Sequence, residues 1–499
     1  MNRYKTLTYY LRLVAIVIAS QNLLVAQPIV VDEVIMHRNQ FKNWVETEPD
    51  PAAASDPTPI NPNAKSGKVI VFKRGTGNSN ASPLPAVYVS GSKAEVSATF
   101  LNTGDCTPNS IFIKGEATIG SMTYQLPVKA LKLKNNECTY PATAFREAFP
   151  EGLVMCNESF IITWNWTDNP EAKKVPEPSG IEWSSAGESS CFVMVTHDKA
   201  QRGLISGDIE GTSFFISSIY ISCKAADGLI TSDKDIISMK IFDAFRTLDL
   251  KKYKSEFNLK YWGGDNPLNN DAVCRDIPGL LRFRDANCDE WASFFQDMLK
   301  IHGITRGKRT SLTWQDKFNN GNIGILNLAT FTQLKNECKQ FFGNDYESKI
   351  KFEYTGPDKN SIYSFIFVKN YQFNNTQKFY FYNKEHNGSG IFLPNITLDN
   401  VSLAASNPIR DGVAGQANDD PRSYFENHVI ITYKSNNNSE IYLDPSYGKS
   451  FSTKNEYEDT SIAGFGTILF YETDPLTKLG HYVIWLKNQN TSIQELNFN

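Results

Sequence analysis

Residues 285–304 read DANCDEWASFFQDMLKIHGI, and no other stretch restricts the fold as much. Trp291, Ala292, Phe295, Met298 and Leu299 recur at spacings of three and four on one face with Cys288. That period predicts an amphipathic helix whose apolar stripe docks on a core. Asp289 and Glu290 suit the first turn, and His302 and Gly303 suit the end. Cys288 is therefore expected at or just before the first helical turn. Backbone N–H groups without helical partners and the positive end of the dipole favour a thiolate there. The competing reading is a small, buried, inert thiol.

Around this helix the pattern changes twice. Residues 67–200 carry short strand-like runs, among them 68–72, 94–100, 160–166 and 191–195, separated by Gly, Pro, Asn and Asp. Such spacing predicts a β-sandwich of immunoglobulin-like type over residues 67–204. Nothing in it has the look of a catalytic group, so a structural or spacer role is expected. Helical spacing follows from about residue 205, with Ser232 as the expected cap of a helix reaching about Leu248. Residues 350–499 return to strands. Helices followed by an antiparallel sheet is an α+β pattern, here assigned to residues 205–499. Residues 46–66, rich in Pro, Ala, Asp and Asn, read as a linker that closes an N-terminal segment at 27–66.

The first 26 residues read as an export signal. Arg3, Lys5 and Arg12 precede an apolar run from Leu13 to Ala19, and Ala26-Gln27 is a suitable cleavage point. Ser20-Gln21-Asn22 leaves the run too short to span a bilayer. The expected location is secreted, periplasmic or cell-envelope, with no membrane-spanning segment after cleavage. A formal net charge of −4 and the lack of a Lys/Arg stripe argue against nucleic acid as a partner. Eight cysteines in an exported chain raise disulfides, including one that would join Cys288 to Cys274 or Cys338.

A histidine and a carboxylate follow the thiol in the chain. NHVIITYKSNNNSEIYLDPSYG, residues 427–448, reads as a hairpin with strand arms His428–Tyr433 and Glu440–Asp444. His428 and Asp444 are placed evenly about position 436, so they are expected to face each other across the ladder. A carboxylate there fixes the imidazole tautomer and leaves the other ring nitrogen to take a thiol proton.

NCDEWASFFQDMLKIHGI together with NHVIITY and IYLDPSYG resembles the transglutaminase-like superfamily, whose core is related to papain-like cysteine peptidases. The likeness covers about residues 215–470 and is strongest at these two blocks. It implies a papain/transglutaminase-like core with Cys288 as nucleophile, His428 as general base and acid, and Asp444 as orienter. Either Trp262, in KYWGG, or the backbone N–H of Cys288 is the implied candidate for oxyanion donor. RDGVAGQ, residues 410–416, looks like a loop at the site rim, with Gln416 as a candidate substrate contact. The implied activity is peptidase, amidase or acyl transferase on a protein or peptide, through a thioester and without cofactor or metal. The alternative is an inactive binding or assembly module that keeps the fold. A segment at about 310–415 is an insertion relative to a compact relative, and GITRGKRT replaces the Pro-Ala-Arg pattern common after Gly-Ile in bacterial relatives.

Overall fold

The computed structural model describes residues 29–37, 42–44, 69–74, 85–104, 110–201, 213–262, 277–313 and most of 414–473. It also describes short strands between 365 and 397, the strands at 480–486 and 493–497, and a few isolated positions near 340. The expected export signal and the linker at 46–66 lie outside these residues. Among the described residues, no helix is long and apolar enough to cross a membrane.

The fold is mixed α and β. Its first unit is a sandwich of two sheets. β1 (Ile29–His37), β3 (Val69–Lys73), β5 (Glu95–Asn102) and β8 (Glu137–Ala144) form one sheet in the order β3-β1-β5-β8. The other has the order β4-β10-β9-β6-β7. It comprises β4 (Ala86–Val89), β6 (Ile111–Ile119), β7 (Met122–Leu131), β9 (Met155–Thr167) and β10 (Ser184–Thr196). Alternation is clearest in β5, where Val96, Ala98 and Phe100 point inward. Trp164 of β9 joins the two layers. Its ring meets Phe100 edge-on at 5.2 Å and Tyr140 at 5.6 Å, and its indole N–H donates to Ser189 Oγ at 3.0 Å.

The sandwich starts at Ile29, not at 67. β1 is a central strand of its sheet, paired along its length with β5, and it buries Val31, Val34 and Met36. The N-terminal segment assigned to 27–66 therefore contains a strand of the sandwich. A core strand precedes the Pro-rich run, and composition alone hid it.

The second unit begins with α1 (Ile216–Ala225) and α2 (Lys234–Arg246). Asp233, one residue beyond the expected Ser232, caps α2 by accepting the Asp235 N–H at 2.8 Å. α3 (Ile277–Phe283) leads to α4 (Cys288–Ile301). The stripe predicted for α4 is fully buried, and Phe242 and Phe245 of α2 pack edge-on against Phe295 at 5.3 and 5.1 Å. α4 ends in a Schellman arrangement. Gly303, at φ +72°, donates to Lys300 O, and Ile304 donates to Leu299 O, both at 3.0 Å.

α4 packs on a four-stranded antiparallel sheet made of β14 (Gly307–Thr313), β15 (Asn427–Lys434), β16 (Glu440–Asp444) and β17 (Lys449–Phe451), in that order. Phe365–Val368, Tyr424–Phe425, Ile462–Thr473, Gly480–Leu486 and Ile493–Asn497 make a further five-stranded sheet.

The sandwich and the helical unit share an apolar seam. Val87, Cys156, Phe192 and Met194 of the sandwich meet Ile216, Ile219 and Cys223 of α1 and Ile301 of α4. Asp227 Oδ1 accepts the Cys156 N–H at 2.8 Å, and the His197 N–H donates to His302 Nδ1 at 3.2 Å. His302, assigned from sequence only to the end of the cysteine helix, is thus buried at this seam.

Candidate active site

Cys288 is the first residue of α4. Asn287 caps the helix by accepting the Asp289 N–H at 2.8 Å. The acidic neighbours of the thiol are turned to other uses. Asp289 is half exposed and pairs with Arg309 at 2.9 Å, while Glu290 is buried. Cys288 is a free thiol, as are Cys138, Cys156, Cys191 and Cys223; the three remaining cysteines lie outside the described residues.

His428 sits on β15, between β14 and β16, paired with Leu312 of β14. The hairpin register differs from the expected one. Lys434 faces Glu440 and Ile431 faces Leu443, so the turn is centred on residue 437 rather than 436. Extending that register puts Asp444 opposite Ile430, and His428 opposite Ser446. His428 and Asp444 are therefore diagonal neighbours on one face. An imidazole is long enough to bridge a diagonal spacing of roughly 7–8 Å. His428 Nε2 lies 2.8 Å from Asp444 Oδ2.

The α2 cap explains the shift. Asp233 Oδ1 accepts the Asn436 side-chain amide at 2.8 Å, and Asp235 accepts the Asn436 backbone N–H at 2.7 Å and the Tyr433 hydroxyl at 2.8 Å. Asn438 takes a left-handed φ of 64°, and the Ser435 N–H closes the loop onto Ser439 O at 2.9 Å.

The three groups form one buried electrostatic unit. Burial by itself lowers the His428 pKa, but the charges of Asp444 and Cys288, with hydrogen bonds to both, outweigh it and raise the pKa to about 10. Asp444 Oδ1 accepts the Ser446 N–H at 3.2 Å. With Nε2 directed at Asp444, Nδ1 is the ring nitrogen left for the thiol proton. Cys288 is 3 % exposed, His428 0 % and Asp444 2 %. Aromatic rings complete the walls. Tyr447 stands 5.5 Å from the His428 ring and 5.0 Å from Tyr261. Burial, then the charges of Tyr447 and Cys288, hold the Tyr261 hydroxyl well above its usual pKa. Burial, followed by Asp444, does the same for Tyr457.

Trp262 lies beside the short strand that leads to Cys288. Lys260–Tyr261 pairs in parallel with Asp285–Ala286, and the Trp262 N–H donates to Ala286 O at 3.1 Å. Trp262 has a left-handed φ of 55°.

Gln416 departs from its expected place at the rim. It has no exposed surface, and its carboxamide donates to Phe245 O at 2.7 Å and Pro445 O at 2.8 Å. A side chain with its donors spent on main-chain carbonyls is scaffold rather than substrate contact. The neighbouring Gly415 is packed as closely: a Cβ there would lie 2.7 Å from Tyr261 Cδ1.

Among the described residues, no group of three or more His, Cys, Asp or Glu could hold a metal ion. The arrangement can deprotonate a thiol and stabilise the imidazolium that forms, the chemistry of a cysteine nucleophile. No protein-family model matches the chain, and no curated protein matches it.

Proposed function

We propose that this chain is an exported, transglutaminase-like cysteine enzyme with a papain-like core that acts on an amide of a protein or peptide. The observation that carries the reading is the buried 2.8 Å contact between His428 and Asp444, with Cys288 of the α4 N-terminus coupled to the same imidazole. Cys288 attacks the carbonyl. His428 takes the thiol proton and returns it to the leaving amine, while Asp444 holds the tautomer. The Cys288 N–H, together with Trp262, is the candidate donor to the oxyanion. The amine leaves and a thioester remains. Water as acceptor then gives hydrolysis, and an amine gives acyl transfer. The chemistry requires no cofactor, metal, nucleic acid or membrane span.

The near-complete burial of Cys288 and His428 favours a second reading, a binding or assembly module that keeps the triad as packing. Alkylation separates the two. The folded protein is treated with iodoacetamide near neutral pH and Cys288 is followed by peptide mass mapping. The enzyme reading expects faster modification than in His428→Ala, and thioester formation with amide substrates that Cys288→Ala abolishes. Equal rates in both proteins, with no activity lost in Cys288→Ala, overturn it.

A further inference from the structure

Gln416 makes more directed main-chain contacts around the triad than packing requires. Its side-chain N–H groups donate to Phe245 O and Pro445 O, at 2.7 and 2.8 Å. Its backbone N–H donates to Ser446 O at 3.0 Å, and its carbonyl accepts the Tyr261 N–H at 2.8 Å. Four contacts from one buried residue bind three segments: the end of α2, the turn after Asp444, and the strand paired beside Cys288.

The Pro445 contact matters most. The Pro445 carbonyl and the Ser446 N–H belong to one planar peptide unit. Gln416 holds the oxygen of that unit at 2.8 Å, and its N–H donates to Asp444 Oδ1 at 3.2 Å. The other oxygen of Asp444 meets His428 Nε2 at 2.8 Å. A donor on a peptide carbonyl polarises the N–H of the same peptide, so the bonds reinforce one another. The approach is tight. A Cβ on Gly448 of this turn would stand 2.4 Å from Phe245 O, the other carbonyl that Gln416 holds.

We propose that Gln416 is a positioning residue for the triad, acting through the Pro445–Ser446 peptide to fix the orientation in which the Asp444 carboxylate meets His428. This deepens the enzyme reading and rests on its triad, but makes a separate claim about the imidazole. Without the side-chain donors of Gln416, the Pro445 carbonyl loses this partner and the Ser446 N–H holds the Asp444 carboxylate less firmly. The His428 pKa then falls, because the contact with Asp444 raises it.

The test is imidazole NMR on the full chain, with Gln416→Met preserving volume while removing both donors. Wild-type protein is expected to give a low-field proton resonance for the His428–Asp444 bond, absent in Asp444→Asn. In Gln416→Met the resonance is expected to broaden or vanish, and the His428 titration midpoint to fall by at least one pH unit. A role in packing alone would lower the melting temperature and leave both signals in place. That outcome overturns the proposal. If Gln416→Met does not fold, Gln416→Asn decides by the same readouts, since its shorter amide cannot span both carbonyls. Failure of the enzyme reading looks different: Cys288 is alkylated no faster in wild type than in His428→Ala, whatever Gln416 does to His428.

Discussion

His428 and Asp444 meet at 2.8 Å although neither is the other's cross-strand partner. Their contact depends on a side chain reaching diagonally across the hairpin, so it is sensitive to the chemistry of Asp444. Asp444→Asn keeps the shape but presents an amide to Nε2 and favours the wrong tautomer. Alkylation of Cys288 is expected to slow by on the order of 10²-fold, the lower end of what positioned proton transfer contributes. A time course with iodoacetamide checks this; a change below about twofold would detach Asp444 from the reactivity of the thiol.

His428 and His302, both buried, are shifted in opposite directions. The raised His428 pKa means that the folded chain holds an extra proton between the ordinary histidine value and about 10. The resulting stability is fully present below about pH 6.5 and is lost as pH rises towards 10. The stability advantage of wild type over Asp444→Asn, from urea titrations, is expected to shrink between pH 6.5 and 10.

His302 behaves conversely. Burial, then the nearby His197, lowers its pKa to about 3, while its Nδ1 accepts the His197 backbone N–H at 3.2 Å. The unfolded chain takes up this proton first as pH falls below about 6.5, so stability is lost from there towards pH 3. His302→Gln keeps an acceptor that does not titrate in this range. Its stability is expected to fall less steeply with acid, as equilibrium denaturation at several pH values will register.

The turn after Asp444 needs a glycine. Gly448 has φ +59°, and a Cβ there would lie 2.4 Å from Phe245 O, a backbone atom that cannot swing aside. Gly448→Ala is expected to destabilise by roughly 1–3 kcal/mol, the range for strained backbone sites. Guanidinium unfolding measures it, and a cost near zero would mean that α2 and the turn separate easily.

The cap at Cys288 gives a smaller effect with a double readout. Asn287→Ala removes the acceptor for the Asp289 N–H. A loss of about 1 kcal/mol is expected from the cap alone. Because α4 opens on Cys288, the alkylation rate should fall in the same variant. A stability loss with unchanged Cys288 reactivity would separate the cap from the thiol.

The sequence by itself determined the local elements of the site. The 3.6-residue period from Trp291 to Leu299 placed Cys288 at a helix start, and Gly303 stopped that helix, because both depend on near neighbours. The short strand runs likewise marked the sandwich and the hairpin. Tertiary structure decided the rest. β1 belongs to the sandwich only through pairing with β5, some sixty residues on, so a Pro-rich run could disguise it. The hairpin register rests on Asp233 and Asp235 binding Asn436 from a helix about two hundred residues away, a contact that leaves no trace in the spacing of His428 and Asp444. Gln416 read as a rim residue because the loop leading to His428 is polar. Only folding brings Phe245 and Pro445 to its amide and turns a loop glutamine into a buried clamp.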